Sequence, residues 1–455
     1  MFSRQLKTGY FVLEGLNSFA TVYYFYYLYF FMQKEFGFST KANLALAALN
    51  GGTYAACAWW GGRFAQRFGY FTALKVGFLV MMSALAIGGQ VRSAAGQIVV
   101  MVVTVVGMCF TWPTLEALIS EGEPRAGLQH MVGLYNVVWA GTAAVANFCG
   151  GAMLEKFGSR SLFYVPAAIQ ATQLGLTFWL QRQARQRMRL RVEQGSRQSV
   201  EPLLESNQPI METSGAVATG QRPVSQAGIP SVSDAKASPG GTALKTDEPS
   251  LVAPARADQN PSGHALEAGP HPKATGFLRM AWLANPFAYI ALNTLIAGMP
   301  GVARRLELST MLAGFCGSVW CFARVAAFLG LWFWNGWHYR FRWLLLAYLV
   351  LVGTFTTILL APNLALLISA QILFGGTLGL IYYSSLFYSM DLSQTKGEHG
   401  GIHEAVIGLG NCAGPAVGAA ALQFLPTYAN SGALAVTLLL LCGLAALLGI
   451  WRRGQ

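Results

Sequence analysis

Twelve apolar segments, each near the length that crosses a bilayer, recur along the chain. They lie at roughly 9–32, 43–65, 73–91, 96–119, 131–153, 162–180, 277–300, 310–334, 342–361, 364–390, 401–424 and 429–451. About 20 helical residues span a hydrocarbon core, so the spacing predicts twelve transmembrane helices joined by short loops, an all-α integral membrane protein. Composition agrees, because 54% hydrophobic and 11% charged residues, with a mean hydropathy of +0.43, exceed what a soluble protein of this length carries. The net charge of +12 would suit a nucleic-acid partner if it formed a patch. Its Lys and Arg instead sit in loops, where they orient membrane helices, and no nucleic-acid partner is expected.

One stretch interrupts the pattern. From 182 to 275 the chain is rich in Ser, Pro, Gly, Ala and charge, a composition that buries too little apolar surface to offset the entropy of ordering. It is expected to be a disordered cytoplasmic linker between halves at 1–181 and 276–455. Arg182, Arg185, Arg187, Arg189 and Arg191 follow the sixth apolar segment directly, as a cytoplasmic flank does. With both termini inside, 16 basic residues close to the apolar segments fall on the cytoplasmic side and seven outside. The chain is therefore expected in a cytoplasmic membrane, a bacterial inner membrane, as a monomer. The N-terminus lacks a cleavage pattern, so the first helix is expected to be a retained anchor. All seven cysteines fall in apolar segments and are expected to be small packed residues, not disulfides or metal ligands.

The halves repeat. An offset of 268 positions places Gly107 on Gly375, Glu123 on Asp391, Gly133 on Gly401, Val138 on Val406, Gly150 on Gly418 and Asn17 on Asn285 without gaps. Two six-helix bundles in parallel orientation are the arrangement of a transporter that rocks about a central site.

The loop Gly62-Arg-Phe-Ala-Gln-Arg-Phe-Gly69 resembles the GxxxDRxGRR signature of the major facilitator superfamily, with Gly62, Arg67 and Gly69 in place. Gln66 stands where that signature has Asp, and Tyr70 and Phe71 stand where it has basic residues. The resemblance implies twelve helices in two pseudo-symmetric bundles and a cytoplasmic latch between this loop and the start of the eleventh helix. With Gln66 neutral, such a latch would be weaker or differently built. The stretch from Gly410 through Gly414 and Pro415 to Gly418 is similar to the GPxxGG run of the family's antiporters. It also reads as a stripe of small residues for close helix packing.

Charge inside a membrane helix costs roughly 2.5 to 3.5 kcal/mol at its centre on insertion scales, so each such residue asks for a partner or for water. Arg324 lies deepest, with Trp320 one turn away; it is expected to face a central cavity and bind an anionic group or a carboxylate, or else to form a structural ion pair. Glu14 shares a helix face with Asn17, Thr21 and Tyr24, a polar stripe that must turn from lipid. A desolvated acid there could carry a proton, cap the helix or join a gate pair. Asn136 and Trp139, Asn285, Tyr289 and Asn293, and a minority of the helix-ten tyrosines such as Tyr382 would complete a lining for a small polar or amphipathic organic solute. Arg63, Gln66, Arg67, Glu116, His403 and Glu404 are expected at the cytoplasmic gate, with Glu404 pairing Arg67 or Arg63 in place of the missing Asp. For Glu404, stabilisation by the helix dipole is the simpler alternative.

No nucleophile elbow, metal-ligand cluster or phosphate-binding loop occurs in the sequence, and GxxxxGK[ST] is absent. The chain is expected to be no enzyme, to need no cofactor, and to act as a proton-coupled secondary transporter for a sugar, nucleoside or organic acid. The alternatives are a sensor of the same fold and a drug or lipid exporter.

Overall fold

The structure, a computed structural model, describes residues 4–120, 125–205, 272–334, 336–392, 396–428 and 430–453. Among them are thirteen helices and no strand. The first half holds α1 (Arg4–Phe36), α2 (Thr40–Phe68), α3 (Tyr70–Gly88), α4 (Ala94–Ser120), α5 (Arg125–Phe157) and α6 (Ser161–Glu205). The second holds α7 (Pro272–Arg305), α8 (Thr310–Gly317), α9 (Val319–Phe333), α10 (Phe341–Leu360), α11 (Leu364–Leu392), α12 (Lys396–Phe424) and α13 (Ser431–Arg453). Both halves belong to one compact unit over 1–183 and 256–455; the second unit is 184–255, of which 184–205 is described and helical.

Local chemistry sets the ends of several helices. Ser39 and Ser309 cap α2 and α8, their hydroxyls accepting from the backbone N–H of Ala42 and Leu312 at 3.3 and 3.2 Å, the usual remedy for orphan donors at a helix start. Gly69, the last residue of the signature loop, takes φ 89° between α2 and α3, a conformation that a side chain would strain.

Among the described residues nine segments are long and apolar enough to cross a membrane: α3, α8 with α9, α10, α13, and most of α4, α5, α7, α11 and α12. Helices α1, α2 and α6 contain the remaining expected segments but are more polar; α1 alone carries Glu14, Asn17 and a run of tyrosines. Much of that polarity points inward, since Glu14, Asn17, Tyr23, Tyr24 and Tyr27 are all buried, while Ile87, Val99 and Leu438 stand exposed on outer faces. This inside-out distribution is what a bilayer requires.

Two expectations are corrected. Residues 182–205 and 272–275, expected in the disordered linker, are helical. Arg, Gln, Met, Leu and Glu dominate the first of these runs and are good helix formers, so they continue the turn that the apolar segment starts. Residues 206–271 of that linker lie outside the described residues. The eighth apolar segment, expected as one helix, is interrupted at Ser318, whose hydroxyl donates to the Phe315 carbonyl at 2.8 Å. Ser beside Gly317 offers the backbone an alternative to its ladder.

The halves meet along two seams. Helix α2 runs antiparallel to α12, from Lys41, whose ammonium donates to Gln423 at 2.8 Å, through Gly51 against the backbone of Asn411 and Cys412, to Gly408 against Ala55. Helix α5 lies along α8 and α9, from Gly151 against Thr310, through Asn147, whose amide reaches Cys321 Sγ at 2.9 Å, to His130, 5.0 Å from the Trp332 ring. The 268-residue offset carries α2 onto the span of α8 and α9, and α5 onto that of α12. The seams are thus images of one another, as the repeat requires.

Candidate functional site

Three carboxyls converge inside the molecule. Glu14 of α1 is fully enclosed, and Glu116 of α4 and Glu404 of α12 are each 6% exposed. Each lies within electrostatic reach of the other two. Tyr54 of α2 donates its hydroxyl to Glu404 Oε2 at 2.6 Å, while Tyr135 of α5 lies beside Glu14. Tyr135 is the single donor within hydrogen-bonding reach of Glu14 among the described residues; neither Glu14 oxygen meets a donor at full hydrogen-bond geometry, and Oε2 of Glu116 has none. Buried polar atoms are nearly always satisfied, so under-satisfied oxygens on two mutually interacting acids mark a place of chemistry.

This grouping redraws the expected gate. Glu116 and Glu404 join Glu14 in the interior, because α12 packs on both α2 and α4 and encloses both acids. Glu404 is not paired with Arg63 or Arg67. Both arginines are exposed, the Arg63 guanidinium sits 3.9 Å over the Trp59 ring and that of Arg67 sits 5.4 Å over Phe68. Gln66 is exposed beside them. The backbone of His403 is helical, and its side chain lies outside the described residues.

Arg324 of α9 forms a second centre. It is 5% exposed, and its guanidinium lies 4.5 Å from the Trp139 ring of α5 and 4.9 Å from that of Trp320. Phe328 and Tyr382 stand 5.8 and 5.3 Å from Trp139, and Tyr289 stands 6.3 Å from Tyr382. The expectation that Arg324 faces a cavity is therefore revised: aromatic rings enclose it. Among the described residues no carboxylate pairs with it, and its electrostatic neighbours are Cys321, Tyr289 and Tyr382. Arg324 Nε and Trp320 Nε1 are both buried without an acceptor. Tyr289 and Tyr382 also lie within reach of Glu116 and Glu404, so tyrosines separate the cation from the acids. A cavity of about 280 Å³ occurs elsewhere, at one end of the α2–α7 contact; Arg304, Arg305 and Thr40 help to line it, and neither Arg324 nor the three acids do.

The other expected lining residues divide. Asn17 and Asn285 are buried with both side-chain amide atoms unsatisfied; Thr21 donates to the main-chain carbonyl of Asn17 at 2.7 Å. Asn136 accepts from Trp139 Nε1 at 3.0 Å and so holds the indole over Arg324. Asn293 is engaged by Asn411 of α12. Tyr24 turns to Phe163 of α6, 6.0 Å away, not to either centre. Tyr54, Tyr135 and Phe328 were not singled out by the sequence. Only Phe328 left a trace, one helical turn beyond Arg324.

Together these features define an integral, multi-pass helical membrane protein whose two halves close over buried charge. The sequence profile of the Major Facilitator Superfamily matches residues 10–391, and the chain belongs to that family of transporters. No curated protein matches it in sequence. Its fold is similar to that of the human organic anion transporter MFSD10 (TETRAN), at 13% identity and a TM-score of 0.59, covering 98% of this chain and 99% of the other. A single-residue variant of the nucleoside transporter NupG gives 12%, 0.59, 99% and 98%. A bacterial homolog of the human lysosomal transporter Spinster, inward-facing and unoccupied, gives 11%, 0.57, 99% and 96%.

Proposed function

We propose that this protein is a secondary active transporter that moves a small polar or amphipathic organic solute by alternating access, coupled to protons. In this reading all twelve segments cross a bacterial cytoplasmic membrane, with both termini inside. Residues 1–181 and 276–455 rock as two bodies, and the segment between them is a tether. The carrying observation is that Glu14 and Glu116 of the first half, with unsatisfied oxygens, lie within electrostatic reach of Glu404 of the second. An ionised carboxylate enclosed without a countercharge is costly in a membrane interior, so closing the site favours proton uptake and wetting it favours release. Two of the structural neighbours are described as carrying an organic anion and a nucleoside, both within the proposed class.

The test is uptake by proteoliposomes holding the purified chain, with labelled sugars, nucleosides and carboxylates and a pH-sensitive dye inside. Solute accumulation driven by an imposed proton gradient is expected. Glu14→Gln is expected to abolish solute-driven proton movement while leaving solute exchange at equal concentrations. Proton movement that persists undiminished in Glu14→Gln, Glu116→Gln and Glu404→Gln alike would remove the carboxyl group from this role.

A further inference from the structure

We propose that Arg324 is the recognition point for an anionic group, and that the transported solute is an organic monoanion carrying a flat ring, of which an aromatic carboxylate is the simplest case. This rests on the transport reading above and narrows its substrate class.

Three observations carry the assignment. Arg324 is a buried cation with no carboxylate partner among the described residues, and its Nε–H has no acceptor. A charge enclosed at such cost is retained where it meets a countercharge during function. The indole beneath it, Trp320, also holds a buried N–H without an acceptor. Two unmet donors, one on the guanidinium and one on the indole 4.9 Å from it, match the two oxygens of one carboxylate, with the charged guanidinium supplying the stronger bond.

The surroundings specify the rest of the solute. Trp139, Phe328 and Tyr382 lie 5.3 to 6.0 Å apart in mutual ring contact, a set of flat apolar faces that a ring can enter by replacing one ring-to-ring contact with another. Trp139 belongs to the first half and Arg324, Phe328 and Tyr382 to the second, so a bound ring would bridge the α5–α9 seam. A cationic solute would meet Arg324 as a like charge, and a neutral one would leave its charge uncompensated. A single negative charge neutralises the pole. The proton then travels through the separate carboxyl group beyond Tyr289 and Tyr382.

Ligand binding is read by thermal shift and by quenching of tryptophan fluorescence, using the full chain in nanodiscs. The probes are 2-naphthoate and indole-3-acetate, their primary amides, and hexanoate as a ringless acid. An aromatic carboxylate is expected to bind saturably, at least about 30-fold more tightly than its amide, and hexanoate more weakly than either aromatic acid. Arg324→Gln is expected to remove that preference. Arg324→Lys, which keeps charge but loses the planar fork, is expected to retain part of it. Should Arg324→Gln fail to fold, Trp320→Phe keeps a ring and removes only the N–H, and a several-fold drop in the carboxylate-to-amide ratio is expected. Equal binding of acid and amide, an unchanged ratio in the folded variants, or no saturable binding of any aromatic carboxylate overturns the proposal. Transport of neutral solutes that survives Arg324→Gln refutes this recognition and leaves transport standing. Arg324-dependent carboxylate binding without uptake or exchange refutes transport and leaves recognition standing.

Discussion

Tyr54 and Glu404 join the two halves through one short hydrogen bond, and the partner of each lies on a helix contributed by the other half. Tyr54→Phe would leave Glu404 Oε2 without the donor it has, a loss of about 1–3 kcal/mol for an unsatisfied group. A lower unfolding temperature in detergent is the expected outcome. Glu14→Gln should behave differently. Its oxygens meet no donor at full hydrogen-bond geometry and the enclosed acid favours its neutral form, so a neutral isostere changes little in the closed site and thermal stability should hold while coupling is lost. Measuring unfolding and proton movement on the same preparation separates the two effects. At this scale the sequence was informative where a residue was out of place. Arg324, Glu14, Glu116 and Glu404 stand out because charge in apolar runs is conspicuous. Tyr54 and Tyr135 were silent and Phe328 was marked only by its spacing from Arg324, since a tyrosine or phenylalanine in a membrane helix looks the same whether it faces lipid, packing or a site.

Between elements, glycine determines how close the seams come. At Gly51 an added Cβ would collide with the backbone of Asn411 and Cys412, and at Gly408 with that of Ala55. Backbone cannot yield as a flexible side chain can, so Gly408→Val is expected to destabilise by about 1–3 kcal/mol or more through overpacking. Gly141 of α5 has nothing within 4 Å of such an atom. Gly141→Ala should be neutral or stabilising by up to about 1 kcal/mol, because alanine favours the helix. Unfolding temperatures for the pair test whether the seam, and not glycine content, is what matters. The small-residue run of α12 was legible as a packing stripe. That Gly410 and Gly414 turn to α7, at Pro286 and Ile290, while Gly408 turns to α2 was not, because spacing along a helix says nothing of which neighbour each face meets.

For the whole molecule, alternating access requires each seam to part at one end while the other stays shut. Lys41 and Gln423 meet at one end of the α2–α12 seam. In a background lacking the exposed Cys442, Lys41→Cys with Gln423→Cys joined by a cleavable bismaleimide is expected to stop uptake, and cleavage to restore it. Uptake unaffected by complete cross-linking would exclude motion at that end. Deleting residues 206–255 is expected to leave uptake intact if the segment is a tether, as measured in the same vesicles.

The order of residues by itself determined the all-helical membrane fold, the internal repeat and the placing of Arg324 and Glu14 away from lipid, because segment length, apolarity and helical periodicity are local properties. Only the tertiary structure decided that three acids share one centre, that Arg324 lies between two indoles instead of against a carboxylate, and that the eighth segment breaks at Ser318. Those outcomes depend on how helices rotate and cross, set by contacts between residues hundreds of positions apart.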